Sequence, residues 1–271
     1  MKIRTAFPHI LDRQYPSVKP DYPLLTILYL LRIKDIDAVP ITYADERKDR
    51  AVFGFSSLPK FMAMGTKGFA DLLKEPCELA SDELPSLAVD EDLESLLDAF
   101  ASRRLGFALV HGLGASKGRV SFASLTDILG LYGRRAISTG MLLGEVTTPI
   151  FSMSRTSSIR SALQAMFRNR YRRVFVSERE FVSDRSVMEH VFSPFTLEQM
   201  QWDFGRDVLG TPIDKLDKAT AMVAGPRTSL RTAAIKLGED RGQCLVVGGG
   251  GVATPWDVVM KPWLARKLTV E

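Results

Sequence analysis

Thr254 and Asp257 stand three residues apart, where an apolar run, Cys244-Leu245-Val246-Val247, and a glycine turn over 248–251 give way to a helix. Thr254 suits the N-cap, Pro255 the first helical position and Asp257 the third. A helix start carries unpaired backbone N–H groups and partial positive charge, which together hold a phosphate or another anion. The Thr254 hydroxyl could donate to the same anion, while the Asp257 carboxylate could accept two neighbouring hydroxyls such as those of a ribose. A capping box, in which the two residues satisfy each other's backbone N–H groups, uses the same residue types at the same spacing.

Related stretches recur. Ser124-Leu125-Thr126-Asp127 follows Val120-Ser121-Phe122-Ala123, and Ser183-Asp184-Arg185-Ser186 follows Glu180-Phe181-Val182. Ser56-Ser57-Leu58-Pro59 follows Val52-Phe53-Gly54-Phe55. The spacing of roughly 60 to 70 residues is longer than common solenoid repeats and reads as a small domain copied four times.

The elements that must position these residues follow one order: helix, strand, strand, helix. In the first copy, residues 23–31 read as a buried helix, 38–42 and 51–55 as strands, and 58–64 as a second helix. In the second, Leu93, Leu96, Leu97 and Phe100 keep helical spacing, 107–110 and 119–123 are strands, and 127–132 begins the closing helix. In the third, 146–153 is an extended lead-in, 158–167 a helix and 174–176 a strand. A linking helix over 194–204 precedes the fourth copy, whose first helix opens at 226–230 and whose first strand is 243–247. The lead-ins LLGEVTTPI (142–150) and VLGTPI (208–213) also match each other.

Composition narrows the class. The 271 residues are 45% hydrophobic and 25% charged, an ordinary globular balance with room for real cores. The longest apolar run, near 24–31, closes at Arg32 and is far too short to cross a bilayer. The first residues show no long apolar segment after their charges, so no secretory signal is expected. Cys77 and Cys244 have neither metal-ligand spacing nor a disulfide framework, which suits a reducing cytoplasm. A net charge of +4 permits an anionic partner without demanding a polyanion.

With these residues in view, the chain resembles tandem CBS-domain proteins. The clearest matches are VTTPIFSMSRTSSIRSALQAMFRNRYRRVFV with FVSDRSVM in the third repeat, and GPRTSLRTAAIKLGEDRGQCLVV with GVATPWDVVM in the fourth. The second repeat matches at GRVSFASLTDIL, the first at DAVPIT and VFGFSSLPKFM. The resemblance implies an α/β (α+β) fold of four β-α-β-β-α repeats, paired into two Bateman modules forming a disc, as in the gamma subunit of AMP-activated protein kinase and its archaeal homologues. The implied boundaries are 1–70, 71–137 and 138–193 for the first three repeats, 194–215 for a linking helix and loop, and 216–271 for the fourth.

In that family the Ser/Thr of the Ser/Thr-x-x-Asp motif lies near phosphate and the Asp holds ribose hydroxyls. The match assigns nucleotide-binding roles to Thr254 with Asp257, and to Ser124 with Asp127. Ser183 is kept in the third repeat, but Ser186 stands where the acid is expected. Pro59 occupies that place in the first, so its site is expected to be empty or reshaped. Thr148 matches a lead-in residue near ligand. Arg170, Arg172 and Arg173, in the basic run between helix and strand, match the family's phosphate-facing cations, and arginine forks suit phosphate. A solvated basic turn, or pairing with surface carboxylates, is the plainer reading of that run.

Catalysis has little support. His9, His111 and His190 are scattered, and neither a nucleophile elbow nor a G-x-x-x-x-G-K loop occurs. The expected protein is therefore a non-enzymatic, cytoplasmic regulatory module with no cofactor. It would bind AMP, ADP or ATP and act on a regulated protein partner, with a homodimer possible and no membrane association. Two other readings stay open: a nucleic-acid surface built from Arg168–Arg173, Arg134-Arg135 and the basic residues of 261–267, or a structural partner-binding disc with degenerate clefts.

Overall fold

The computed structural model describes the whole chain except residues 14, 35, 37, 46–48, 53–68, 115–118, 135–139, 170, 203–206, 240–243 and 271. The chain forms two compact units. The first holds Met1–Gln14, Leu84–Ile150 and Ala221–Glu271; the second holds Tyr15–Glu83 and Phe151–Thr220. No helix among the described residues is long and apolar enough to cross a membrane.

The elements in chain order are α1 Ile3–Ala6, α2 Leu24–Ile33, β1 Val39–Ile41, β2 Arg50–Val52, α3 Phe69–Leu72, β3 Asp82–Glu83 and β4 Ser86–Ala88. Then follow α4 Leu93–Arg103, β5 Phe107–His111, β6 Val120–Ser124, α5 Leu125–Gly133, β7 Thr148–Pro149, α6 Ile159–Asn169, β8 Arg173–Phe175 and β9 Glu180–Ser183. The rest are α7 Asp184–Val191, α8 Pro194–Trp202, β10 Ala219–Thr220, β11 Met222–Ala224, α9 Leu230–Glu239, β12 Leu245–Val247, β13 Gly251–Ala253 and α10 Pro255–Val270.

The copying seen in the sequence is a copying of buried positions. Helices α2, α4, α6 and α9 each bury their first, fourth, fifth and eighth residues. These are Leu24, Ile27, Leu28 and Leu31; Leu93, Leu96, Leu97 and Phe100; Ile159, Ala162, Leu163 and Met166; and Leu230, Ala233, Ala234 and Leu237. That spacing is one stripe of a 3.6-residue helix. In α2 and α6 the stripe enters the core of the second unit, and in α4 and α9 that of the first.

Each first helix returns the chain to a small sheet. In the first unit β4 runs parallel to β5 and β5 antiparallel to β6, and β11, β12 and β13 repeat that arrangement. The strand-helix-strand-strand-helix order is thus complete twice. In the second unit β8 pairs antiparallel with β9, and β1 with β2. Their leading strands shrink to single parallel bridges, Ser152 to Phe175 and Val18 to Ile41. The helix expected over 58–64, and most of the strand expected over 51–55, lie outside the described residues.

The lead-ins behave differently from the expectation. Residues 146–153 form no single extended run. Thr148 and Pro149 pair antiparallel with β13, whereas Phe151 and Met153 hydrogen-bond to Phe175. Ala219 and Thr220 likewise pair with β9, and Asp82 and Glu83 with β2. A short lead-in therefore adds an edge strand to the sheet of a different copy. Backbone pairing, which is indifferent to side-chain pattern, decides this.

Candidate functional site

The β12–β13 hairpin delivers Thr254 to the start of α10. Gly249 and Gly250 in its turn have φ of 100° and 84°, a region glycine enters without steric cost. Next in the chain, Gly251 lies so close to the lead-in that a Cβ there would stand 2.8 Å from the Thr147 Cβ. Glycine thus lets β7 approach β13 and set Thr148 beside the helix start.

Asp257 is the hub. Its side chain is almost fully buried. Oδ2 accepts from the Thr254 amide at 2.9 Å and the Thr254 hydroxyl at 2.7 Å, and the Asp257 amide donates to Thr254 Oγ1 at 3.3 Å. Those are the bonds of a capping box. Oδ1 takes two donors from beyond it: the Thr148 hydroxyl at 2.6 Å and the Lys261 ammonium at 3.2 Å. Lys261 also donates to the Thr147 carbonyl and the Thr148 hydroxyl, at 2.7 and 2.8 Å. The carboxylate's acceptor sites are therefore full, and two of the four donors are threonine hydroxyls, one on each oxygen.

The second helix start is built alike. Asp127 Oδ2 accepts from the Ser124 amide and hydroxyl at 2.8 and 2.9 Å, with the reciprocal cap bond at 3.4 Å. The extra donor on Oδ1 is Arg13, at 2.6 Å. In the third copy Ser183 and Ser186 form the same box through their hydroxyls, 3.2 Å apart. No acid stands at the third helical position there. The acid of the first turn is Asp184, at the first position, which is buried and paired with Arg172 at 2.8 Å.

The structure thus brings Thr148, Thr254 and Asp257 together, joins Ser124 to Asp127, and joins Ser183 to Ser186. Arg172 is held by Asp184, and the Arg173 guanidinium lies 5.6 Å from the centre of the Phe181 ring, a cation–π distance. Arg170 lies outside the described residues. Sequence reasoning missed two cations in these clusters. Lys261 sits four residues past Asp257 on one helix, so its i,i+4 spacing could have flagged it. Arg13 is 114 residues from Asp127, and no local signal could have found it.

Other chemistry is thin among the described residues. No group of three or more His, Cys, Asp or Glu is placed to hold a metal. His111 contacts the Ser86 hydroxyl, and His9 pairs with Asp12 at 3.3 Å. Cys77 and Cys244 are both buried and unpaired with each other.

Solved structures share this architecture. The chain superposes on a protein from Methanocaldococcus jannaschii, described as a candidate archaeal homolog of γ-AMPK, with a TM-score of 0.81. That match has 16% sequence identity over 95% of this chain and 98% of the other. An uncharacterised conserved protein from Pyrococcus horikoshii matches with a TM-score of 0.51 and 13% identity over 82% of this chain and 89% of its own. A conserved CBS-domain protein from Thermoplasma acidophilum covers 51% of this chain, with a TM-score of 0.40, 14% identity and 70% of its own length covered. The chain has the mixed α/β fold of the tandem CBS-domain proteins. No protein-family model and no curated protein matches it by sequence.

Proposed function

We propose that the protein is a non-enzymatic regulatory module that binds adenine nucleotides at the helix starts of Thr254 and Ser124. The observation that carries this reading is the pair of threonine hydroxyls on Asp257, from Thr148 at 2.6 Å and Thr254 at 2.7 Å. One hydroxyl on each carboxylate oxygen is the pattern a ribose diol makes with a carboxylate, and the two rotors can release it one bond at a time. Lys261 keeps a cation beside the acid, so the cluster does not repel a phosphate.

Binding would act on a partner through differential affinity for two states of the protein. A regulatory reading draws support from the fold shared with the protein described as a candidate archaeal homolog of γ-AMPK. Nucleic-acid binding draws less support, because Arg172, Arg173 and Lys261, drawn from two of the basic clusters, are engaged within their own units.

Calorimetric titration with AMP, ADP and ATP tests the reading. Saturable binding that weakens by about 1 to 3 kcal/mol in Asp257→Ala is expected, the scale of hydrogen bonds to a charged group. Unchanged affinity in that variant, or no binding of any of the three, would overturn it.

A further inference from the structure

Helix α2 differs from its three counterparts on one face. At the second, sixth and tenth positions α4 carries Glu94, Asp98 and Ser102, α6 carries Arg160, Gln164 and Arg168, and α9 carries Arg231, Ile235 and Glu239. Several of these bond to their own unit: Arg160 to Asp207, Asp98 to the Trp263 indole, and Arg231 to the Gly133 carbonyl. In α2 the same positions are Leu25, Tyr29 and Ile33, exposed by 40%, 49% and 54%, and Tyr22, just before the helix, is exposed by 40%. Helix formation does not call for this stripe, since α2 already buries Leu24, Ile27, Leu28 and Leu31 on its opposite side. An exposed row of large apolar side chains on a helix marks a surface that is ordinarily covered.

The charges at the two ends of the stripe say what covers it. Asp21 lies at its beginning and Lys34 at its end, both exposed, and neither is in an ion pair among the described residues. Asp21 and Lys34 are centred on the point between Ile27 and Leu28, and Tyr22 and Ile33 are centred on the same point. A second α2 laid antiparallel across that point sets Tyr22 against Ile33 and Asp21 against Lys34, twice over. A parallel pairing would instead oppose like charges. An isologous, self-complementary contact of this kind is the usual basis of a twofold dimer.

We propose that two copies of the chain associate through the Tyr22, Leu25, Tyr29 and Ile33 stripe, with their α2 helices antiparallel. The patch is much smaller than the 20–30 residues a side, or about 800 Å² per partner, of a stable interface. The association is therefore weak and concentration-dependent.

Sedimentation equilibrium of the full chain, from low-micromolar to submillimolar concentration, tests it. The expected result is a reversible monomer–dimer equilibrium. Tyr29→Glu, with unchanged far-ultraviolet circular dichroism, should weaken it at least about tenfold, as loss of a central aromatic does. Asp21→Lys and Lys34→Asp should each weaken it, and the double exchange should restore it. A monomer throughout that range overturns the proposal. So does a dimer indifferent to Tyr29→Glu, or one weakened by that change but indifferent to both charge reversals.

Discussion

Arg13 reaches Asp127 across 114 residues of sequence, its Nη1 2.6 Å from a carboxylate oxygen. The N-terminal segment is thereby fastened to the second copy's helix start by the acid that also caps the helix. The Arg13 side chain is 39% exposed, so solvent screens much of the attraction. Arg13→Ala should lower unfolding free energy by about 0.5 to 1 kcal/mol, read as a shift in urea midpoint at constant slope.

A larger loss is expected at Arg172. Its partner Asp184 is 4% exposed, and removing the cation leaves that carboxylate buried without it. Breaking a fully buried pair costs about 3 to 5 kcal/mol, and the partial exposure of Arg172 reduces this to about 1 to 3 kcal/mol. Denaturant titration of Arg172→Ala beside Arg172→Lys measures it, and the lysine variant should lose less.

Gly251→Ala tests the close approach of lead-in and hairpin. The new methyl would stand 2.8 Å from the Thr147 Cβ and 2.9 Å from its Oγ1. Neither is the far end of a flexible chain, so β7 must move away from β13, drawing Thr148 off Asp257. The expected cost is about 1 to 3 kcal/mol, as for overpacking elsewhere, visible as a lower melting temperature.

Stability should fall on the alkaline side. Burial pushes the Cys77 thiol up to about 11. The Tyr43 phenol is raised as well, first by burial and then by its hydrogen bond to Glu78 at 2.7 Å. Both groups are neutral when protonated, so over this range the unfolded chain has already lost protons that the folded chain keeps. The stabilisation is complete at neutral pH and declines from about pH 9 to about pH 11 as the unfolded thiol ionises. Urea midpoints across that window should slope downward in the parent, and Cys77→Ala should flatten the slope.

What the sequence could determine was local. Apolar residues at positions one, four, five and eight of four helices follow from a 3.6-residue period, and capped starts at Ser124, Ser183 and Thr254 follow from short polar side chains placed before a helix. Those features were legible because each depends on neighbours within a few residues. Tertiary structure alone decided which distant side chains meet the acids: Thr148 at Asp257 and Arg13 at Asp127. It also decided that 146–153 divides between two sheets, and that one of four sister helices keeps an apolar face exposed. The physical reason is the same in each case. A hydrogen bond or ion pair between residues a hundred positions apart is chosen by how backbones pair and pack, and the local pattern of polar and apolar side chains carries no record of that choice.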